Sequence, residues 1–170
     1  MNKKMFVLPA VGLILWLIAG PAAAYDVEEL SVEILPDGNA TVRAGYSLNW
    51  GEFIAYNLMF NREQLAEEAI ENALDEDVEV NYITGDEASV TIPSFAMVTG
   101  SEGNISYTTP KLPYDKIDDY SGKIDIPLLK NFVADADSLT PDMTVITFPD
   151  GYNVSYSKPY AGGFVPSLTH

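Results

Sequence analysis

The sequence contains no cysteine and a single histidine, and these two absences exclude much catalytic chemistry. Without cysteine there is no disulfide, no lipid-modified thiol and no thiolate ligand for a metal. The histidine is His170, the final residue, which we expect to be mobile, so a Ser-His-Asp arrangement has no base. A glycine-rich phosphate loop, a zinc-ligand spacing and a dinucleotide fingerprint are also missing from the sequence. We therefore expect a protein that is not an enzyme.

Basic residues are scarce as well. Nine Lys and Arg stand against 25 Asp and Glu, which gives a formal net charge of −16. This imbalance opposes binding to nucleic acid or to an anionic membrane surface, because recognition of phosphates requires Lys and Arg. It permits a basic partner, a divalent cation, or plain solubility in a salty medium. The apolar fraction of 47% is too high for a disordered acidic chain.

The first 24 residues are predicted to be a targeting segment. Lys3 and Lys4 precede an uncharged apolar run that ends in three alanines, a pattern typical of a signal peptide cleaved after Ala24. The alternative is an uncleaved membrane anchor, since the run is close to the ~20 residues that span a bilayer. Cleavage leaves seven basic residues against 25 acidic ones, a net charge of −18. We expect the chain to be secreted or displayed on the cell surface.

Apolar and polar residues alternate on both sides of a turn at Pro36. Leu30, Val32 and Ile34 share one parity before it, and every second residue from Ala40 onward is apolar or aromatic after it. A period of two predicts half-buried antiparallel strands, and the Pro-Asp-Gly-Asn sequence predicts the turn between them. The exported chain therefore opens with a β-hairpin whose apolar face needs a partner.

Similar alternation returns later in the chain, with turns expected near residues 84–87, 100–104 and 149–151. Helical spacing of apolar residues at about 61–75 predicts one inserted amphipathic α-helix. The pattern favours a mainly β fold, a β-sandwich that is Ig-like in architecture, with α+β as the alternative.

We assign this fold to a single domain over residues 25–157, followed by a tail or edge segment over residues 158–170. The strings at residues 34–39 and 147–152 both contain Pro-Asp-Gly. Because this is common turn chemistry, we interpret the similarity as a shared turn type and not as a duplicated unit.

An Asp-rich loop is the candidate metal site. Calcium takes six to eight oxygen ligands, and loops of β-sandwiches often supply them. The spacing does not match an EF-hand, two lysines lie close by, and a solvated acidic loop is the alternative. Calcium is the one metal that the sequence suggests. The candidate ligands are Asp115, Asp118, Asp119 and Asp125.

Two further sets of residues are candidates for surface functions. Asn39, Asn104 and Asn153 each begin an Asn-X-Ser/Thr sequon at or just after a predicted turn, where a glycan could be accommodated. Tyr114 and Tyr120 lie in the same loop as the aspartates, so we expect them to be exposed and available for recognition.

The signal segment, acidic composition and sequons give the chain a general resemblance to small exported envelope proteins of archaea or of salt-tolerant bacteria, although no motif carries it. We expect a non-catalytic secreted or cell-surface β-sandwich acting in structural association or adhesion at the cell envelope, with other proteins or with itself through an edge strand. The alternatives are an extracellular binding module for Ca²⁺ or a cationic ligand, and a carboxylate-dependent hydrolase.

Overall fold

The computed structural model describes residues 27–47, 78–101, 103–114 and 140–170, and within these ranges the protein is mainly β. The predicted helix at 61–75 and the targeting segment lie outside the described residues. A 3₁₀ helix at Ala161–Gly163 precedes the last strand. The strands are β1 Val27–Ile34, β2 Ala40–Tyr46, β3 Glu79–Ile83, β4 Glu87–Ile92, β5 Met97–Ser101, β6 Asn104–Thr108, β7 Leu112–Pro113, β8 Met143–Thr147, β9 Asn153–Ser157 and β10 Phe164–Val165.

The largest sheet has six strands in the order β3-β4-β2-β1-β8-β9. All neighbours are antiparallel except β1 and β8, which run parallel with Glu29 opposite Met143 and Glu33 opposite Thr147. The hairpins predicted around residues 36–39, 84–87, 100–104 and 149–151 are all present. The parallel pair was not predicted, because it joins strands more than 100 residues apart in sequence.

The two faces of this sheet differ as the alternation predicts. Leu30, Val32 and Ile34 of β1 are buried, whereas Glu33 between them is exposed and Ser31 is half-buried. The inner face also receives alternating residues of β2, β4 and β8. Burying a side chain of this size contributes about 1.5–3 kcal/mol, so this face carries much of the stabilisation of the fold.

A second group of strands is built from β5, β6, β7 and the end of the chain. β5 and β6 form an antiparallel hairpin. On its other side β6 meets residues 168–170, and the same register continues to the pairing of β7 with β10. Pro110 and Pro166 lie between the two paired stretches. Since proline has no N–H to donate, they explain why one continuous alignment is divided into two short ladders.

One apolar core connects the two groups of strands. It contains the inner face of the six-stranded sheet together with Phe95, Tyr107, Leu112 and Val165 from the second group. Val165 is completely buried even though it lies close to the end of the sequence. Residues 164–170 are therefore part of the folded body, and the expected mobility of His170 is wrong.

Candidate functional site

Two turns of the same construction lie at one end of the six-stranded sheet, because each follows one of the parallel strands β1 and β8. In the first, the N–H of Gly38 donates to the carbonyl of Leu35 at 2.9 Å, and in the second that of Gly151 donates to Phe148 at 2.9 Å. An Asp carboxylate inside each turn accepts a backbone N–H two residues further on. The similar strings at 34–39 and 147–152 thus share a turn type, as predicted, and they also lie side by side.

The first turn is covered by the segment that leads into β5. The N–H of Ala96 donates to the carbonyl of Gly38 at 2.8 Å. The N–H of Ser94 donates to Oδ1 of Asn39 at 2.9 Å, and the hydroxyl of Tyr107 donates to the carbonyl of Pro36 at 3.3 Å. These contacts fix the β5–β6 hairpin against the end of the sheet.

The second turn is covered by the end of the chain. Tyr107 and His170 exchange two backbone hydrogen bonds, at 2.7 and 3.0 Å, and the N–H of Thr109 donates to Leu168 at 2.8 Å. The His170 ring stacks on Tyr152 with centroids 4.4 Å apart and planes 9° from parallel, and it also contacts the ring of Phe148.

A side-chain hydrogen bond in this cluster joins His170 to Asp150. Nε2 of His170 lies 2.7 Å from Oδ2 of Asp150, whose other oxygen accepts the N–H of Tyr152. The hydrogen bond from His170 is the main reason that the pKa of Asp150 is lowered, and the bond from Tyr152 adds to it. Sequence reasoning missed this cluster because its parts are brought together only by non-local strand pairing.

The hydrogen bonds of β6 reveal which edge of β5 is open. Tyr107 directs its N–H and C=O toward His170, so it cannot also bond Val98, its neighbour on β5. In a regular antiparallel pair the direction alternates along the strand, so the backbone groups of Val98 and Gly100 point away from β6. The outward N–H of Ala96, just before β5, donates to the carbonyl of Gly38. Within the described ranges, no strand pairs with β5 on this outward side.

Exposed apolar side chains are concentrated on the same hairpin. All five residues of β5 are exposed, including Met97 at 44% and Val98 at 39%, and Ile105 of β6 is 50% exposed. Tyr152, also 50% exposed, lies on the adjacent turn. β5 contains no charged residue, although the chain as a whole carries −16. An uncharged, exposed edge strand is the kind of edge that accepts another strand.

The two edge strands of the six-stranded sheet are less suited to this. β3 carries the exposed Glu79, and its register with β4 is shifted between Val80 and Tyr82. A charge and a bulge both discourage pairing with another chain. β9 is uncharged but polar and contains a sequon at Asn153. Of these edges, β5 is the best candidate for association, and we call the side of Val98–Gly100 that faces away from β6, with which no strand pairs within the described ranges, the β5 edge.

The structure corrects one predicted recognition residue. Tyr114 is only 6% exposed, because β7 and the end of the chain carry it into the core. Its hydroxyl lies 2.7 Å from Oγ1 of Thr144, and its ring contacts Tyr160 with centroids 4.8 Å apart. Burial raises the pKa of Tyr114 well above its ordinary value. Tyr120 lies outside the described residues.

The three sequon asparagines are all within the described ranges. Asn104 and Asn153 are exposed, whereas Asn39 is half-buried in the first turn. The four calcium candidates Asp115, Asp118, Asp119 and Asp125 lie outside the described residues, so that site stays a prediction. In the part of the chain that is described, no group of three or more His, Asp or Glu side chains is arranged to hold a metal ion. The same part contains no helix of the length and hydropathy needed to cross a membrane.

Comparisons with known proteins assign no family to the chain: no family model matches it, and no match is found among curated proteins or solved structures.

Proposed function

We propose that this protein is an exported, non-catalytic β-sandwich domain that works by structural association at the cell envelope, and that it pairs with a second copy of itself through the β5 edge. The six-stranded sheet would form one layer of the sandwich, and β5, β6, β7 and the end of the chain the other. The single observation that carries the association is the β5 edge, which is uncharged and pairs with no other strand in the described part of the chain.

The β5 edge is complementary to itself. Two copies of one strand that pair antiparallel around a two-fold axis at Thr99 place Val98 of each copy opposite Gly100 of the other. These are the two residues whose backbone groups point outward, so the pairing can form hydrogen bonds in both directions. No charged side chain of β5 meets its own copy, which matters in a chain of net charge −16.

The association should be weak and reversible. Five residues of strand extend over about 16 Å, and an interface of this length falls well short of the roughly 1,600 Å² of a standard complex. Repulsion between two acidic copies also opposes it at low ionic strength and is screened by salt. We therefore expect dimer formation that increases with both protein and salt concentration.

A proline at Val98 tests the proposal. The Val98→Pro substitution removes an outward N–H that is not used in the pairing of β5 with β6, whereas Val98→Thr keeps the N–H and suits a strand. Size-exclusion chromatography with light scattering, at low and high salt, should show dimers for the mature protein and for V98T and monomers for V98P. Far-UV circular dichroism checks that V98P keeps its fold. A mature protein that is monomeric at high concentration in high salt would contradict the proposal, as would dimers that survive V98P.

A further inference from the structure

The three sequons occupy different environments in the folded protein. In the first turn, Nδ2 of Asn39 donates to Oδ2 of Asp37 at 2.8 Å, and its Oδ1 accepts the N–H of Ser94 at 2.9 Å. Both ends of this amide are therefore engaged, and the side chain is half-buried between the turn and the segment leading into β5. A sugar on Nδ2 would replace one of the two hydrogens of this nitrogen. It would then have to fit beside the contact of Asn39 with Asp37 and Ser94.

Asn104 and Asn153 have no such restraint. Asn104 is the first residue of β6 and follows Gly103 at the tip of the β5–β6 hairpin, and Asn153 is the first residue of β9. Both are exposed, and neither side-chain amide makes a hydrogen bond within the described ranges. A large substituent on either nitrogen extends into solvent without displacing a contact.

The position of Asn153 has a second consequence, because β9 is an edge strand. The backbone N–H of Phe148 donates to the carbonyl of Tyr152, and that of Lys158 donates to the carbonyl of Asp142. Because hydrogen-bonded and non-hydrogen-bonded pairs alternate along an antiparallel pair, the even-numbered residues of β9 direct their backbone groups toward β8. Asn153, Ser155 and Ser157 consequently direct their backbone groups to the other side of β9, the open side, where none of the described strands pairs with it. This strand is uncharged, so it lacks the usual protection of an edge.

We infer that Asn104 and Asn153 are sites of N-glycosylation, that Asn39 is not, and that the glycan on Asn153 shields the open edge of β9. In the modification, the Asn amide nitrogen bonds to C1 of an oligosaccharide carried on a lipid phosphate; the C1–O bond to that phosphate breaks, and the nitrogen loses one proton. The assignment of the sites is independent of the proposed function, whereas the shielding complements it, since it leaves the β5 edge as the place where copies pair.

Site occupancy is measured on mature protein secreted from a host that attaches N-glycans. Intact mass is compared for the wild type and for Asn39→Gln, Asn104→Gln and Asn153→Gln, and peptide mapping after enzymatic deglycosylation locates each former glycan as an Asn-to-Asp change. N104Q and N153Q should each lose the mass of one glycan, and N39Q should lose none. A loss of glycan in N39Q, or an unchanged mass in N104Q or N153Q, would overturn the assignment.

The shielding is tested at Ser155, an exposed residue whose hydroxyl completes the sequon. Ser155→Ala removes the acceptor sequence but keeps Asn153, and Ser155→Thr keeps the acceptor sequence. In light scattering, S155A should associate more than the wild type and S155T should match it. The same comparison in a V98P background removes pairing through the β5 edge, so an increase there belongs to β9 alone. Equal association of S155A and S155T in the V98P background would overturn the shielding of β9. This result does not depend on whether V98P alone abolishes pairing through the β5 edge.

Discussion

Gly38 and Gly151 hold the same position in two neighbouring turns, with φ of +85° and +87°, yet their surroundings are opposite. A Cβ added at Gly38 would lie 2.7 Å from the carbonyl oxygen of Ala96 and 2.7 Å from a methyl of Val98, whereas a Cβ at Gly151 would meet no atom within 4 Å. The backbone requires glycine at both positions, but only the first is in close contact with another strand.

This pair separates backbone strain from steric contact. Both Gly38→Ala and Gly151→Ala force alanine into the left-handed region, at a cost of about 1–2 kcal/mol. Gly38→Ala must also displace the start of β5, which should add about 1–3 kcal/mol. Urea denaturation of the two variants measures the difference. Equal losses of stability would mean that the β5–β6 hairpin does not rest on the first turn.

A chain of hydroxyl groups joins Tyr114 to Tyr160 through Thr144. Tyr160 donates to the carbonyl of Pro141 at 2.9 Å, so its oxygen accepts from Thr144 at 3.0 Å. Thr144, having donated its only proton, accepts from Tyr114 at 2.7 Å. Thr144 is completely buried, so each bond satisfies a group that water does not reach.

Removing the middle of this chain should cost more than removing its end. Tyr114→Phe deletes one hydrogen bond and should destabilise the fold by about 1 kcal/mol, whereas Thr144→Val strands the buried hydroxyl of Tyr114 and should cost about 1–3 kcal/mol. The double variant has no hydroxyl at position 114 that lacks a partner. Its loss of unfolding free energy should therefore be smaller than the sum of the losses of the two single variants. Urea titrations of the four proteins give the coupling.

Tyr156→Phe is the matched control for these variants, since Tyr156 packs partly buried against the same core and its hydroxyl makes no hydrogen bond within the described ranges. Its stability should stay within about 0.5 kcal/mol of the wild type. If the single losses at Tyr114 and Thr144 were additive, the two hydroxyls would not be coupled.

Deleting residues 167–170 should destabilise the protein and promote its association. The deletion removes three backbone hydrogen bonds, two to Tyr107 of β6 and one to Thr109, each contributing about 0.5–1.5 kcal/mol, and it uncovers the side of β6 to which the backbone of Tyr107 points. Thermal melting should show a lower Tm, and light scattering should show larger species through the newly opened edge. His170→Ala is the control: it keeps the backbone pairing and removes only the ring, so it should lower Tm without increasing association. An unchanged Tm after truncation would contradict the pairing.

The contact between Asp150 and His170 predicts a dependence on acid. Because the pKa of Asp150 is lowered from its ordinary 3.8 in the folded state, its contribution to stability is present above that pH and is lost as the pH falls through the lowered value. The Tm difference between the wild type and Asp150→Asn should therefore be constant just above pH 4 and should decrease toward zero as the pH falls further. His170→Ala removes the main cause of the lowered pKa and should weaken this dependence, while the bond from Tyr152 keeps part of it. A difference that stays constant to pH 2 would contradict the prediction.

Local patterns were sufficient wherever two neighbouring stretches of chain form a hairpin. The alternation around Pro36 predicted both the β1–β2 hairpin and the residues on its buried face, and the Pro-Asp-Gly strings predicted two turns of one type. Tyr114 was assigned to the surface because polar residues follow it in sequence, although β7 before it is anchored in the core. His170 was assigned to a mobile tail because nothing adjacent in sequence fixes it.

The sequence by itself determined the β class, the acidic character, the hairpins and the turn chemistry. Each of these follows from composition or from neighbouring residues: the alternation of apolar and polar residues along a strand, and the Pro, Asp and Gly residues of the tight turns. Only the tertiary structure decided that β1 and β8 lie parallel, that residues 164–170 pair with β6 and β7, and that β5 is left with one edge unpaired among the described strands. These features depend on contacts between residues far apart in sequence, and whether an edge is open depends on every other strand having found its partner.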